Sequence, residues 1–177
     1  SWTAADISTT ADGARNVFVA DIDSDGDLDI VSASHDDDTI AWYENDGNSD
    51  PSFTKNVIST SADGARGVHI ADIDSDGDLD IVSASRIDNT IAWYENDGAA
   101  NPSWSTTTIA TSAAGARDIH IADMDNDGDL DIVSASSGDD TIAWYENDGA
   151  ANPSWTATDI ATTADGARDV YVSDLDN

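Results

Sequence analysis

Short runs in which apolar residues alternate with polar or small ones fill the chain, and each run returns 51 residues further on. The first covers Asn16–Asp21, with Val17 and Val19 on one face. The second is Leu28–Ser34, and the third, Thr39–Asn45, carries Ile40 and Trp42. The fourth, Phe53–Thr60, carries Val57 and Ile58. β-branched and aromatic residues dominate all four and helix signals are absent, so each run predicts a strand. The connections agree with this. Asp-Gly at 12–13 and 63–64 marks one turn, the acidic stretch 35–38 a second, and Asn45-Asp46-Gly47 with its copies a third.

Two blocks barely change between copies. Ala20 to Ser34 reads ADIDSDGDLDIVSAS; the copy from Ala71 is identical, and the copy from Ala122 differs only at Met124 and Asn126. TIAWYENDG starts at Thr39, Thr90 and Thr141 without change. A period near 50 residues marks a propeller blade or a solenoid unit. A four-stranded sheet of this size cannot bury both faces alone, so the units must stack on neighbours. The prediction is an all-β chain of tandem four-stranded antiparallel β-propeller blades, about three and a half of them. Residues 1–14 would be an orphan outer strand and turn. Residues 15–65, 66–116 and 117–167 would be three blades, and 168–177 the first strand of a truncated fourth.

Between the first two strands lies the acidic loop Asp-x-Asp-x-Asp-Gly-x-x-Asp, starting at Asp21, Asp72 and Asp123, with a cut-off copy at Asp174. Four carboxylates crowd into nine residues and repel unless a cation joins them. Gly26, Gly77 and Gly128 allow the φ > 0 turn that folds the carboxylates onto one point. Calcium takes six to eight hard oxygens, and the loop offers them. Positions 1, 3 and 5 supply carboxylates: Asp21, Asp23 and Asp25, then Asp72, Asp74 and Asp76, then Asp123, Asp125 and Asp127. Position 7 supplies a backbone carbonyl, from Asp27, Asp78 or Asp129, and position 9 a bidentate carboxylate, from Asp29, Asp80 or Asp131. About three calcium ions per chain are expected, with Asp174 and Asp176 forming at most a partial fourth site. Soft metals are disfavoured, because the loops hold neither Cys nor His.

The chain resembles the VCBS/FG-GAP repeats of bacteria, which are similar to the calcium-binding blades of integrin α-subunit β-propellers. Asp-x-Asp-x-Asp-Gly-Asp-Leu-Asp followed by a hydrophobic strand, then Trp-Tyr-Glu-Asn-Asp-Gly, carries the likeness over essentially all 177 residues. It departs from the integrin form at Ala14-Arg15 and at Ser32-Ala33-Ser34, so integrin-like ligand recognition is not implied.

With 37 acidic residues against 6 basic ones the net charge is −31. Nucleic acid is a poor partner for such a surface, and so is an anionic membrane. No stretch of 18 apolar residues is present, so membrane insertion is not expected. Without cysteine no disulfide staples the fold, and metal is the obvious substitute. Several calcium loops in so acidic a chain point to an extracellular or cell-surface location, where calcium is plentiful.

One Arg recurs per repeat: Arg15, Arg66, Arg117 and Arg168. It can contact an anion or stack on the recurring Trp, but pairing with acidic groups of its own or a neighbouring blade is the favoured expectation. Trp42, Trp93 and Trp144 read as blade-core residues, whereas Trp2, Trp104, Trp155 and Phe53 are candidates for exposed or inter-chain contacts. His69 and His120 stand where Phe18 and Tyr171 stand, a space-filling pattern. No uncommitted acid–base pair or nucleophile stands out, so no catalytic residue and no enzyme is expected.

Three functions compete: a self-assembling structural repeat, an adhesion or carbohydrate-binding propeller within a longer surface protein, and a propeller enzyme. Near-identity of the repeats weighs against the enzyme, since an active site breaks symmetry. Three periods of 51 leave 24 residues over, and propellers close with about four to eight blades. Copies of the chain are therefore the first expected partners, joined head-to-tail in a ring, filament or tubule; cell-surface glycans or proteins are the alternative. An excerpt from a longer array is the competing explanation of the length.

Overall fold

The computed structural model describes residues 5–175. Twelve strands form three antiparallel sheets of four, each a simple meander. The first sheet joins β1 (Ala14–Ala20), β2 (Asp29–Ser34), β3 (Thr39–Asn45) and β4 (Phe53–Ser59). The second joins β5 (Ala65–Ala71), β6 (Asp80–Ser85), β7 (Thr90–Asn96) and β8 (Trp104–Ala110). The third joins β9 (Ala116–Ala122), β10 (Asp131–Ser136), β11 (Thr141–Asn147) and β12 (Trp155–Ala161). The four strands expected in each complete repeat are present, with ends moved by one or two residues, whereas the strands expected within 1–14 and 168–177 are not found among the described residues. Among the described residues there is no helix long and apolar enough to cross a membrane.

The sheets stack through two copies of one interface. Ile22, Val31, Ala33, Ile40 and Trp42 of the first blade pack against Ala65, Val68, Ile70, Ile81 and Tyr94 of the second. Fifty-one residues on, Ile73, Val82, Ala84, Ile91 and Trp93 meet Ala116, Ile119, Ile121, Ile132 and Tyr145 of the third blade. Alternation along each strand sends one set of side chains to the preceding blade and the other to the following one. Trp42 and Trp93 are thus core residues, as their phase implied, whereas Trp144 of the third blade is only half-buried. Phe53, Trp104 and Trp155, candidates for exposed or inter-chain contacts, are half-buried, and Trp104 and Trp155 pack against these cores, while Trp2 lies outside the described residues. A bulge explains part of this covering of the interfaces: β3 and β4 shift register after Ile40, which turns Ile58 inward and leaves Val57 in solvent.

The inner strands β1, β5 and β9 lie side by side. Across them and the segment carrying Tyr171, the rings of Phe18, His69, His120 and Tyr171 form a row of tilted and edge-on contacts, with centroids 4.5, 5.3 and 4.6 Å apart. The two histidines therefore fill the aromatic positions, and burial lowers the pKa of His69, helped by the neighbouring His120. Residues 5–8 and 167–173 carry no strand, although the corresponding interior residues do. A strand needs a ladder partner, and the partners these two would pair with belong to repeats that the sequence does not supply in full. The turn leading into the second segment still follows its interior counterparts: Ala164 N donates to Asp140 O and Gly166 N to Asp140 Oδ1, as Ala62 and Gly64 do to Asp38, and Ala167 N donates to Ala164 O as Ala65 N does to Ala62 O.

Candidate metal centre

Each acidic loop joins the end of an inner strand to the next strand and is shaped by its own carboxylates. In the first, Asp21 accepts from the amides of Asp25 at 3.1 Å and Gly26 at 3.0 Å, and Asp25 accepts from Asp27 N at 2.9 Å. The second and third loops repeat this through Asp72 and Asp76, and through Asp123 and Asp127. The glycine at position 6 is left-handed in all three, with φ of 98° to 103°. Position 4 is left-handed as well, at Ser24, Ser75 and Asn126. The sequence pattern does not reveal this second reversal, because serine gives no signal for it.

Carboxylate oxygens converge within 4.8 Å of one another at Asp21, Asp23 and Asp29, at Asp72, Asp74 and Asp76, and at Asp123, Asp125 and Asp127. Asp23, Asp74 and Asp125 have raised pKa values, through desolvation first and then through repulsion by Asp25, Asp76 and Asp127. Asp74 Oδ1 is buried and has no hydrogen-bond partner. An all-oxygen cluster with an unpartnered buried carboxylate oxygen fits a hard divalent cation and poorly fits a soft one.

Position 9 is the most buried member. Asp29, Asp80 and Asp131 are each 1% exposed. Asp29 Oδ2 accepts from Ile22 N at 3.1 Å and Oδ1 from Asn45 N at 2.8 Å, and Asp80 and Asp131 repeat both bonds. Each oxygen keeps a second lone pair for a cation. Burial pushes Asp80 up to about 7, against the hydrogen bonds from Asn96 and Ile73. The position-7 carboxylate lies elsewhere: a Cβ on Gly47, Gly98 or Gly149 would overlap the side chain of Asp27, Asp78 or Asp129. That leaves the main chain of position 7 for the loop. Asp174 lines a cleft with Asp123, Met124 and Asn126, beside the third loop, and Asp176 lies outside the described residues.

Sequence reasoning took Asn45-Asp46-Gly47 for a turn and missed its part in the site. Asn45 Nδ2 donates to Leu28 O at 3.0 Å, inside the loop, while its amide holds Asp29. In the second and third blades the same side chain also reaches the preceding loop. Asn96 Nδ2 bonds Ile22 O at 3.3 Å, and Asn147 Nδ2 bonds Ile73 O at 3.1 Å. Ile22 and Ile73, the second residues of their loops, are 2% exposed within the blade interfaces. The first two loops are thereby tied to the stacking of blades. The only available signal was the invariance of TIAWYENDG, stricter than that of the loop itself, which varies at Met124 and Asn126.

The expected pairing of the recurring arginine with acidic groups is not found. Among the described residues the one ion pair is His35–Asp36, at 2.7 Å. The arginines sit at the starts of the inner strands and the acidic loops follow the strand ends, so their opposite charges lie a strand length apart.

The FG-GAP-like repeat family matches the chain three times, at residues 21–83, 72–134 and 123–177, and the chain belongs to that family. No curated protein matches it.

Proposed function

We propose that this FG-GAP-like repeat chain is a non-catalytic, calcium-binding structural module of an extracellular or surface protein, whose open blade faces dock onto further copies of the same chain. The observation that carries the reading is the mirror relation between covered and uncovered faces. Val68 and Ile70 are 3% and 6% exposed beneath the first blade, whereas Val17 and Val19, in the same positions of the first blade, are 59% and 50% exposed. That open face continues into a pocket of about 240 Å³ lined by Ile7, Val17, Ile30 and Tyr43. At the other end of the stack Trp144 and Ile142, which correspond to the fully buried Trp93 and Ile91, are only half-buried. Each end offers what the internal interfaces join, so a second copy is the occupant whose shape is already encoded.

Asp21, Asp23, Asp25 and Asp29 and their counterparts would hold the ions, with the position-7 carbonyl completing each loop. Bound calcium supplies the positive charge that lets four carboxylates share nine residues. Ile22 and Ile73 carry that order into the interfaces, and Asn96 and Asn147 clasp the loops from the following blade. Aromatic side chains that a sugar platform would use, Trp42, Trp93, Trp104 and Trp155, are packed in or against blade cores, which favours assembly over glycan binding.

Calcium titration calorimetry and thermal melting test the metal half of the reading. About three ions per chain are expected. At 100-fold saturation each site adds about 2.7 kcal/mol to folded-state stability, large against a typical total of about 5–15 kcal/mol. A melting curve unmoved by excess EGTA would overturn it.

A further inference from the structure

Positive charge is scarce in this chain, yet four of its six basic residues meet at one place. Each inner strand opens on Ala-Arg, and in β1 and β5 the arginine is the extra residue of a bulge. Ala14 and Asn16 pair with Ser34 and Ala33, leaving Arg15 outside the ladder, and Arg66 is skipped in the same way. The register of β9 skips Arg117 likewise. A bulge re-aims a side chain. Arg15, Arg66, Arg117 and Arg168 thereby line a common pocket of about 180 Å³, with Asn16, Asp118 and Asp169 as its other walls.

Such convergence is unfavourable by itself. Burial lowers the pKa of Arg66, and the charges of Arg117, Arg15, Arg86 and Arg168 lower it further. Arg66 Nε is buried without a hydrogen-bond partner. Arg117 Nε donates to Ser137 Oγ, a neutral acceptor. Asp118 is engaged through Oδ2 with Val170 N at 3.1 Å, and among the described residues no arginine forms an ion pair. The wall carboxylates number two against four guanidinium groups, so the pocket keeps an excess of positive charge inside a chain of net charge −31.

We propose that this arginine cluster binds a tetrahedral oxyanion, a sulfate or phosphate group. Planar guanidinium forks match such oxygens in pairs, and the pocket holds one group of that size with a few waters. The group can come as the dissolved ion or as an ester on a sugar. A long polyanion must approach through the negative field of the whole chain, which favours the dissolved ion.

Sodium sulfate titrated into the calcium-loaded protein, against chloride of equal ionic strength, tests the proposal; sulfate avoids the calcium phosphate precipitate. One sulfate per chain should bind saturably, and the Arg66→Gln/Arg117→Gln double variant should bind at least tenfold more weakly while titrating calcium like the parent. Arg15→Gln, on an exposed side chain, should weaken binding without touching the packed blades. Arg66→Gln should melt above the parent in chloride and lose that advantage in sulfate, a crossover that a merely structural arginine would not produce. Dextran sulfate binding more tightly than free sulfate would assign the group to an ester; weaker binding assigns it to the ion. Equal, non-saturating stabilisation of parent and variants by sulfate, the general effect of an excluded salt, would overturn the site.

Discussion

The strands β1 and β5 share four of seven residues and the same apolar positions, and end in different physical states. Val17 is 59% exposed and Val68 3%; Val19 is 50% exposed and Ile70 6%. The polar partners diverge too. Tyr94 OH and Ser83 Oγ lie 3.3 Å apart in the second blade, whereas the hydroxyls of Tyr43 and Ser32 in the first are buried without partners. Asn96 bonds two carbonyls, one of them in the preceding blade, where Asn45 bonds only Leu28 O. What a repeat encodes is half of an interface on each face. The neighbour supplies the rest, so stability resides in the contacts between blades as much as in any blade.

A charge placed on either side of this comparison should separate the two strands most. Val68→Asp removes a buried side chain worth about 1.5–3 kcal/mol and buries an unpaired carboxylate at several kcal/mol more. It should abolish the cooperative urea transition. Val17→Asp should fold like the parent, yet stay monomeric at concentrations where the parent associates. Equal damage from both substitutions, read by urea melts, would dissolve the distinction.

The asparagine clasp gives the next largest effect. Asn96→Ala leaves Ile22 O and Leu79 O without that donor, and a buried group so stranded costs about 1–3 kcal/mol. Asn45→Ala, at the open end, should cost less than about 1 kcal/mol. The urea midpoints of the two variants check the order.

The strands, their turns and the loop glycines were legible in the sequence, because each rests on a local pattern of alternation or on a backbone conformation that only one residue type adopts freely. The clasp was not. Asn45 and Leu28 are brought together by the β2–β3 hairpin, and Asn96 and Ile22 by the stacking of two blades, so neither contact has a local signature. The arginines misled for a related reason. Pairing with acidic residues is the reasonable expectation in a chain this acidic, but the bulge turns Arg66 away from the loops and toward its own copies. Left-handed Ser24 and Ser75 were invisible because serine adopts that conformation only under constraint from its surroundings.

Acid should reach the middle loop by proton competition. Asp80 is raised from 3.8 to about 7 by burial. Its protonated form therefore stabilises the calcium-free fold below pH about 4, and that contribution is lost as pH rises through about 7. Cation binding needs the ionised form, so the rise in melting temperature caused by calcium should grow from pH 5 to pH 7.5. Taking the difference between calcium and EGTA at each pH cancels the opposite contribution of His69, whose lowered pKa disfavours the fold in acid. A calcium increment independent of pH would contradict the assignment of Asp80. The smallest effect concerns position 4, where Asn tolerates the left-handed conformation better than Ser. Ser75→Asn, which copies Asn126, should raise the melting temperature slightly, and Ser75→Val should lower it more.

Sedimentation velocity of the purified chain across a concentration series, in millimolar calcium and again in excess EGTA, decides whether calcium-ordered blades dock onto one another. Species larger than one chain are expected to grow with protein concentration in calcium and to fall back to a less stable monomer in EGTA. A well-folded monomer at the highest concentration in calcium, with Val17 and Val19 still uncovered, would contradict such docking.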